Sequence, residues 1–174
     1  YANAGFYDGL IFHRAEKKNV WGQGLDVIQG GGFYVENNTI YEAEHNPTKV
    51  LYPQITNESY NGLSNIRGTI AMARTSEPHS ATSQFFINHQ NNTMLDRASY
   101  TDGFGYCVFG RVVEGLEVMD AIANTPAVVV SGFTNYFPWP KVEIVRASIL
   151  PCQTSYCGNL IDSDTQVGFA DFAA

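Results

Sequence analysis

The chain has 174 residues, of which 44% are hydrophobic, 13% aromatic and 16% charged. That is too apolar for a disordered segment and supplies enough core for one folded domain. Ten Lys plus Arg against seventeen Asp plus Glu leave a formal net charge of −7, a sign that repels phosphate backbones and excludes nucleic acid as principal partner, while no apolar run approaches the roughly 20 residues of a membrane span.

In chain order, short runs rich in β-branched and aromatic residues predict strands at 10–13, 27–29, 69–73, 84–88, 106–113 and 142–150. Gly30-Gly31-Gly32, Asn61-Gly62, Ser76-Glu77-Pro78 and Asp102-Gly103 separate them as turns. Helical periodicity is expected at 47–52 and at 114–123, where Leu116, Met119, Ala121 and Ile122 fall near one face and Pro126 marks the stop. Many short strands with few helices predict a β-barrel or sandwich closed by helices, and strand and helix do not alternate as a parallel α/β fold requires. Residues 1–151 read as one domain. Residues 152–174 turn polar and acidic and read as a C-terminal extension.

The residues by themselves offer little chemistry. Cys107 lies in an apolar run and reads as a buried free thiol. Cys152 and Cys157 close a short loop and are expected to form a disulfide, which argues for an oxidising compartment. No second Cys or His pair completes a zinc site, and the four histidines form no His-x-x-x-His pair, so no metal is expected. Asp162–Gln166 has the look of a calcium loop, but no bidentate Glu closes it. Gly30–Gly32 lacks the spacing of a dinucleotide fingerprint, and Ser83 lacks the glycine-flanked elbow of a hydrolase nucleophile. Asn37, Asn57 and Asn91 head glycosylation-type triplets, informative only for a eukaryotic secreted chain.

Two stretches say more. Gly5-Phe6-Tyr7-Asp8-Gly9-Leu10-Ile11-Phe12-His13-Arg14, followed by Ile28-Gln29-Gly30-Gly31-Gly32-Phe33, resembles the first signature of the cyclophilins. Gly68-Thr69-Ile70-Ala71-Met72-Ala73-Arg74-Thr75, followed by Ser80-Ala81-Thr82-Ser83-Gln84-Phe85-Phe86-Ile87-Asn88, resembles the second. Leu95-Asp96, Phe104–Val112 and the helix after Gly115 continue the resemblance in order, as far as Pro151. The variant residues are similar to the bacterial, periplasmic-type branch. The resemblance implies a mainly β fold, a closed antiparallel eight-stranded barrel capped by two helices. It also implies peptidyl-prolyl cis–trans isomerase activity in protein folding, with no cofactor. Proline-containing peptides and unfolded proteins are the implied partners. The implied location is periplasmic or secreted, with the cytoplasm as the alternative. The family has two strands and a helix ahead of Phe6-Tyr7-Asp8-Gly9, so the N-terminal strands are expected to be missing from this chain, leaving unpaired edges.

By the same resemblance Arg14 is the catalytic cation, and Gln29 and Gln84 position it and the substrate. Phe86 and Leu95 are the floor and wall of the proline pocket, and Tyr106 stands where many members have His. Ala73 and the Arg74 backbone are expected to line the peptide groove, and His13 is expected to be structural. The interval 15–28 is several residues longer than usual, and Asp26 and Val27 replace an aromatic-plus-Met wall. Trp21 or Leu25 is the candidate to rebuild that wall. Met94 occupies the position of a Trp important for cyclosporin, so weak or no cyclosporin binding is expected. The leading reading is an isomerase assisting the folding of exported proteins. A catalytically weak proline-peptide-binding or chaperone module on the same fold is the alternative, favoured by the altered wall; a scaffold role through the extension is a third.

Overall fold

The computed structural model describes residues 1–130 and 136–150, and the backbone alone of 167–168 and 172–173. Cys152 and Cys157 lie outside the described residues. Leu10–Glu16 (β1) and Val27–Glu36 (β2) form a long antiparallel hairpin across the 17–26 loop. Thr39–Glu42 (β3) turns back on β2, a strand the sequence reading did not contain. Its turn is Asn37-Asn38, both at positive φ, the conformation that a two-residue hairpin demands and that Asn tolerates. Thr69–Met72 (β4), Phe85–Asn88 (β5) and Val108–Arg111 (β6) follow, then the helix Leu116–Asn124 (α1). The remaining strands are Ala127–Val128 (β7), Phe137–Pro138 (β8), Val142–Ile144 (β9), Ser148–Ile149 (β10), Val167–Gly168 (β11) and Phe172–Ala173 (β12).

Every strand pairing is antiparallel. The main sheet has eight strands, in the order β12-β9-β1-β2-β5-β4-β6 with β3 attached to β2. Closure of the expected barrel is not seen among the described residues. Closure needs an unbroken ladder from the last strand to the first. Among the described residues β6 pairs with β4 alone, and its Phe109 and Arg111 are exposed.

The helix expected at 47–52 is absent. The Asn46 side chain instead accepts the Thr48 N–H at 3.0 Å in a local turn. Val50, Leu51 and Tyr52 are consecutive rather than three or four apart, and all three are exposed, so no apolar face exists for a helix to bury. Among the described residues α1 is therefore the one α-helix, against the two implied by resemblance. Met119, Ile122 and Ala123 of α1 are buried, whereas Leu116, at its first position, is exposed. No helix is long and apolar enough to cross a membrane among the described residues.

Strand alternation divides the interior into two clusters. Phe12, Ala15, Ile28, Ile70, Phe85 and Ile87 face α1. Val27, Ala71, Phe86 and Val108, their neighbours in sequence or register, face the other way and gather around Leu95. A register shift between Phe12 and Arg14 in β1 gives both faces their residues: Phe12 turns to the helix and Arg14 to the second cluster.

His13, between them, is buried and edge-on to Phe33 at 4.6 Å. Burial, and then the charge of Arg14, pushes its pKa from 6.5 down to about 3, so it is neutral in the folded protein. The unfolded chain binds this proton first on acidification. Stability from neutral His13 is therefore fully present above pH 6.5 and lost as pH falls from 6.5 toward about 3, with a slope of up to about 1.4 kcal/mol per pH unit. Urea unfolding of His13→Asn is expected to show a flatter pH dependence across that window. An unchanged slope would remove His13 from this account.

Candidate active site

One row of residues crosses the sheet. Arg14 is paired in register with Gln29, Gln29 with Phe86, Phe86 with Ala71, and Ala71 with Val108. Directly paired residues of adjacent strands point to the same face. The row therefore runs from a cation through an amide to an aromatic floor and two small apolar residues.

At its polar end the Arg14 guanidinium donates from Nη1 to Gln29 Oε1 at 3.3 Å, and Gln29 Nε2 donates to Gln84 Oε1 at 3.0 Å. Gln84 reaches this position across Gly32. A Cβ at Gly32 would lie 2.4 Å from the Gln84 amide carbon, so glycine is what admits the side chain. Gly31, at φ +84, lets the Ser83 carbonyl come within 2.6 Å of where a Cβ would stand. Both glycines serve packing.

At the apolar end Phe86 and Leu95 are buried with Val27, and Leu25, Ala73, Tyr100 and Tyr106 pack against them partly exposed. Leu95 is held by buried amides. Asn92 Nδ2 donates to Asn88 Oδ1 at 2.8 Å, and Asp96 Oδ1 accepts the Asn65 N–H at 2.7 Å and its Nδ2 at 2.9 Å. Met94, one residue earlier, is exposed at the rim. The structure thus brings together Arg14, Gln29, Gln84, Phe86, Leu95, Tyr106, Val27 and Ala73.

Arg74 belongs to the same corner through its side chain, which the sequence reading did not use. Its guanidinium lies 4.7 Å from the Tyr106 ring centroid and 5.3 Å from that of Tyr100, donates from Nε to the Gly105 carbonyl at 3.0 Å, and pairs with Asp102. It buttresses Tyr106 from behind. Burial first, then the Tyr100 hydroxyl, raises the Tyr106 pKa to about 12, so its phenol is a neutral donor at physiological pH. Burial alone would raise Asp102, but the N–H groups of Phe104 and Gly105 and the Arg74 charge together hold its carboxyl below the usual range.

The wall ahead of Gln29 differs from expectation. Asp26 does not carry its charge into the slot. It precedes Val27, so alternation turns it to the opposite side, where Oδ1 lies 3.1 Å from His89 Nδ1. His89 Nε2 in turn lies 3.1 Å from Asp120, which pairs with Arg67. Of the two residues that could rebuild the wall, Leu25 packs against the slot, whereas Trp21 is 80% exposed.

Glu16 was also missed. It follows Arg14 by two in β1, so it shares that residue's face, and its carboxylate pairs with the Arg14 guanidinium. The period of two was the signal available for it. Elsewhere Glu42, Glu44 and His45 place ligand atoms within 4.8 Å of one another, but all three are exposed, and an exposed acidic group of this kind needs no ion.

What this arrangement can do follows from its parts. An apolar slot with an aromatic floor fits a pyrrolidine ring. A fixed guanidinium at one end and amides that both donate and accept offer hydrogen bonds to the peptide group next to that ring.

Residues 1–149 match the family model described as cyclophilin type peptidyl-prolyl cis-trans isomerase/CLD. The chain is 44% identical over 155 residues to a peptidyl-prolyl cis-trans isomerase of Acinetobacter baylyi, covering 89% of this chain and 72% of that protein. It is 43% identical over 150 residues to peptidyl-prolyl cis-trans isomerase A of Dickeya dadantii, covering 86% and 69%. Among solved structures it is similar to a Cryptosporidium parvum cyclophilin type peptidyl-prolyl cis-trans isomerase crystallised in the presence of the dipeptide Ala-Pro. The TM-score is 0.60 and the identity 22%, over 84% of this chain and 78% of that one.

Proposed function

This chain belongs to the cyclophilin-type peptidyl-prolyl cis–trans isomerases, and from that membership we propose that it isomerises X–Pro bonds in the slot between Arg14 and Leu95. The observation that carries the assignment of residues is the row Arg14–Gln29–Phe86, which puts a cation beside an apolar floor on one sheet face.

Amide resonance sets a barrier of about 18–20 kcal/mol to rotation about the X–Pro bond. In the twisted state resonance is lost and the prolyl nitrogen becomes pyramidal and basic. Phe86, Leu95 and Val27 hold the ring, while Arg14 donates to the twisted prolyl unit. Hydrogen bonding to Gln29 fixes the guanidinium before the peptide arrives, so no reorganisation is needed at the moment of reaction. Gln84 and Gln29 align the flanking peptide groups, and Ala73 leaves room for the chain.

A catalytically weak proline-peptide-binding module is the second reading. What favours it is the wall: Asp26 and Val27 take the positions of an aromatic ring and a Met, Asp26 turns away, and the aliphatic Leu25 and Val27 cover less of a proline ring. A protease-coupled prolyl-peptide assay separates the two readings. The isomerase is expected to accelerate the slow phase in proportion to its concentration; binding without acceleration would leave the module. In the same assay cyclosporin is expected to inhibit only at micromolar or higher concentrations, because Met94 at the rim has no indole N–H to donate. Nanomolar inhibition would show that the rim supplies that contact another way. Assistance to the folding of exported proteins is part of the proposal and rests on the disulfide expected between Cys152 and Cys157.

A further inference from the structure

Glu16 is the unusual neighbour of the catalytic cation. Its side chain is 9% exposed, against 32% for Arg14. A carboxylate this deep is tolerated only where its oxygens are bonded. Both are: Oε2 accepts from Arg14 Nη2, and Oε1 accepts the Leu25 N–H at 3.3 Å. Glu16 is paired in register with Val27, so it sits at the loop end of the β1–β2 hairpin, where the 17–26 loop leaves and returns.

One buried carboxylate therefore ties two parts of the slot together. Through Oε2 it gives Arg14 a second anchor besides the 3.3 Å bond to Gln29. Through Oε1 it holds the returning limb of the loop at the residue that packs on the Val27–Phe86–Leu95 cluster. An unanchored guanidinium has many rotamers to lose when the twisted amide forms, and a group fixed in advance does not. We propose that Glu16 is a positioning residue for the isomerisation, fixing the Arg14 guanidinium and the Leu25 wall with the two oxygens of one carboxylate.

The inference rests on Arg14 being the catalytic cation. It predicts two separable effects. Loss of the Arg14 anchor lowers kcat, because the guanidinium acts on the transition state; loss of the Leu25 anchor raises KM, because the wall binds proline in ground and transition states alike. Glutamine has one carbonyl oxygen and can replace only one of the two contacts.

The test is a double-mutant cycle on the full chain, read by kcat and KM in the coupled assay. Glu16→Ala is expected to lower kcat about tenfold and to raise KM in the wild-type background. In the Arg14→Ala background the kcat loss disappears, because the residue acts through Arg14. Glu16→Gln, presenting its oxygen to Arg14, is expected to recover most of kcat while KM stays raised. Glu16→Met, apolar and of similar length, is the substitute if the alanine variant does not fold, and it is expected to behave as Glu16→Ala does. A wild-type or increased kcat for Glu16→Ala or Glu16→Met overturns the inference, as does an equal loss in both backgrounds, which marks a merely structural role. If Arg14→Ala itself is fully active, the catalytic assignment fails instead, and the two failures are distinguishable.

Discussion

Arg14→Ala is expected to lower kcat/KM by roughly two to three orders of magnitude, the cost of about 2.7–4 kcal/mol that follows removal of a preorganised donor to a transition state. The side chain is partly exposed and stands at the end of the cross-sheet row rather than in either apolar cluster, so the fold should survive its loss. Far-UV circular dichroism should change little, but the unfolding midpoint should fall, because the buried Glu16 carboxylate loses its charge partner. Most of the deficit should fall on kcat, because Phe86, Leu95 and Val27 still bind the ring. Arg14→Lys should recover little. An ammonium is a point donor and cannot face Gln29, Glu16 and a substrate at once, as a planar fork can. A variant within threefold of wild type in the coupled assay would move the chemistry elsewhere in the slot.

Gly31→Ala is expected to be strongly destabilising for a single added methyl. Its φ of +84 costs an alanine about 1–2 kcal/mol. The added Cβ would also stand 2.6 Å from the Ser83 carbonyl, a backbone atom held in place because Gly31 and Ser83 are hydrogen-bonded through the Ser83 hydroxyl at 2.8 Å. Forcing the two segments apart adds roughly 1–3 kcal/mol. Together the melting temperature should fall by on the order of 10 °C for a domain this size. Because Ser83 precedes Gln84, residual folded protein should also lose activity. Gly9→Ala is the control: φ is +76 there, but nothing lies within 4 Å of the new methyl. It should carry the conformational cost alone. Equal losses for the two variants would mean that the close approach at Ser83 contributes nothing.

Much of the fold was legible because its strands are short, apolar and separated by glycine and asparagine. What escaped had no local signal. The β2–β3 turn uses Asn37-Asn38, a pair whose resemblance to a glycosylation triplet hid the hairpin that their positive φ angles make. Three consecutive apolar residues at 50–52 mimicked a helix without supplying a face. Closure of the sheet is a property of hydrogen bonds between its first and last strands, and short runs of sequence cannot report it.

The site divides in the same way. Motif pointed to Arg14, Gln29, Gln84, Phe86 and Leu95; register brings Arg14, Gln29 and Phe86 into one row, with Gln84 bonded to Gln29 and Leu95 packed on Phe86. Asp26 was misplaced into the slot because its position in a motif was read without its parity: Val27 faces the slot, so its neighbour cannot. Glu16 and Arg74 went unused for a related reason. The first acts on Arg14 from two residues away on the same strand face. The second acts on Tyr106 through a stacking contact between loops distant in sequence, which no spacing reveals.

The central claim is that Arg14, held over an apolar slot by the sheet register, accelerates rotation of a bound prolyl amide. Two-dimensional NMR exchange spectroscopy on an Ala-Pro peptide tests it most directly, since cis and trans signals are observed together and no protease intervenes. With substoichiometric wild-type protein, exchange cross-peaks between the two isomers should appear at mixing times far shorter than the uncatalysed tens to hundreds of seconds. With Arg14→Ala the peptide signals should still broaden, reporting binding in the intact slot, while the cross-peaks vanish. Cross-peaks of equal intensity for wild type and Arg14→Ala, or broadening without exchange in the wild type, would contradict the account.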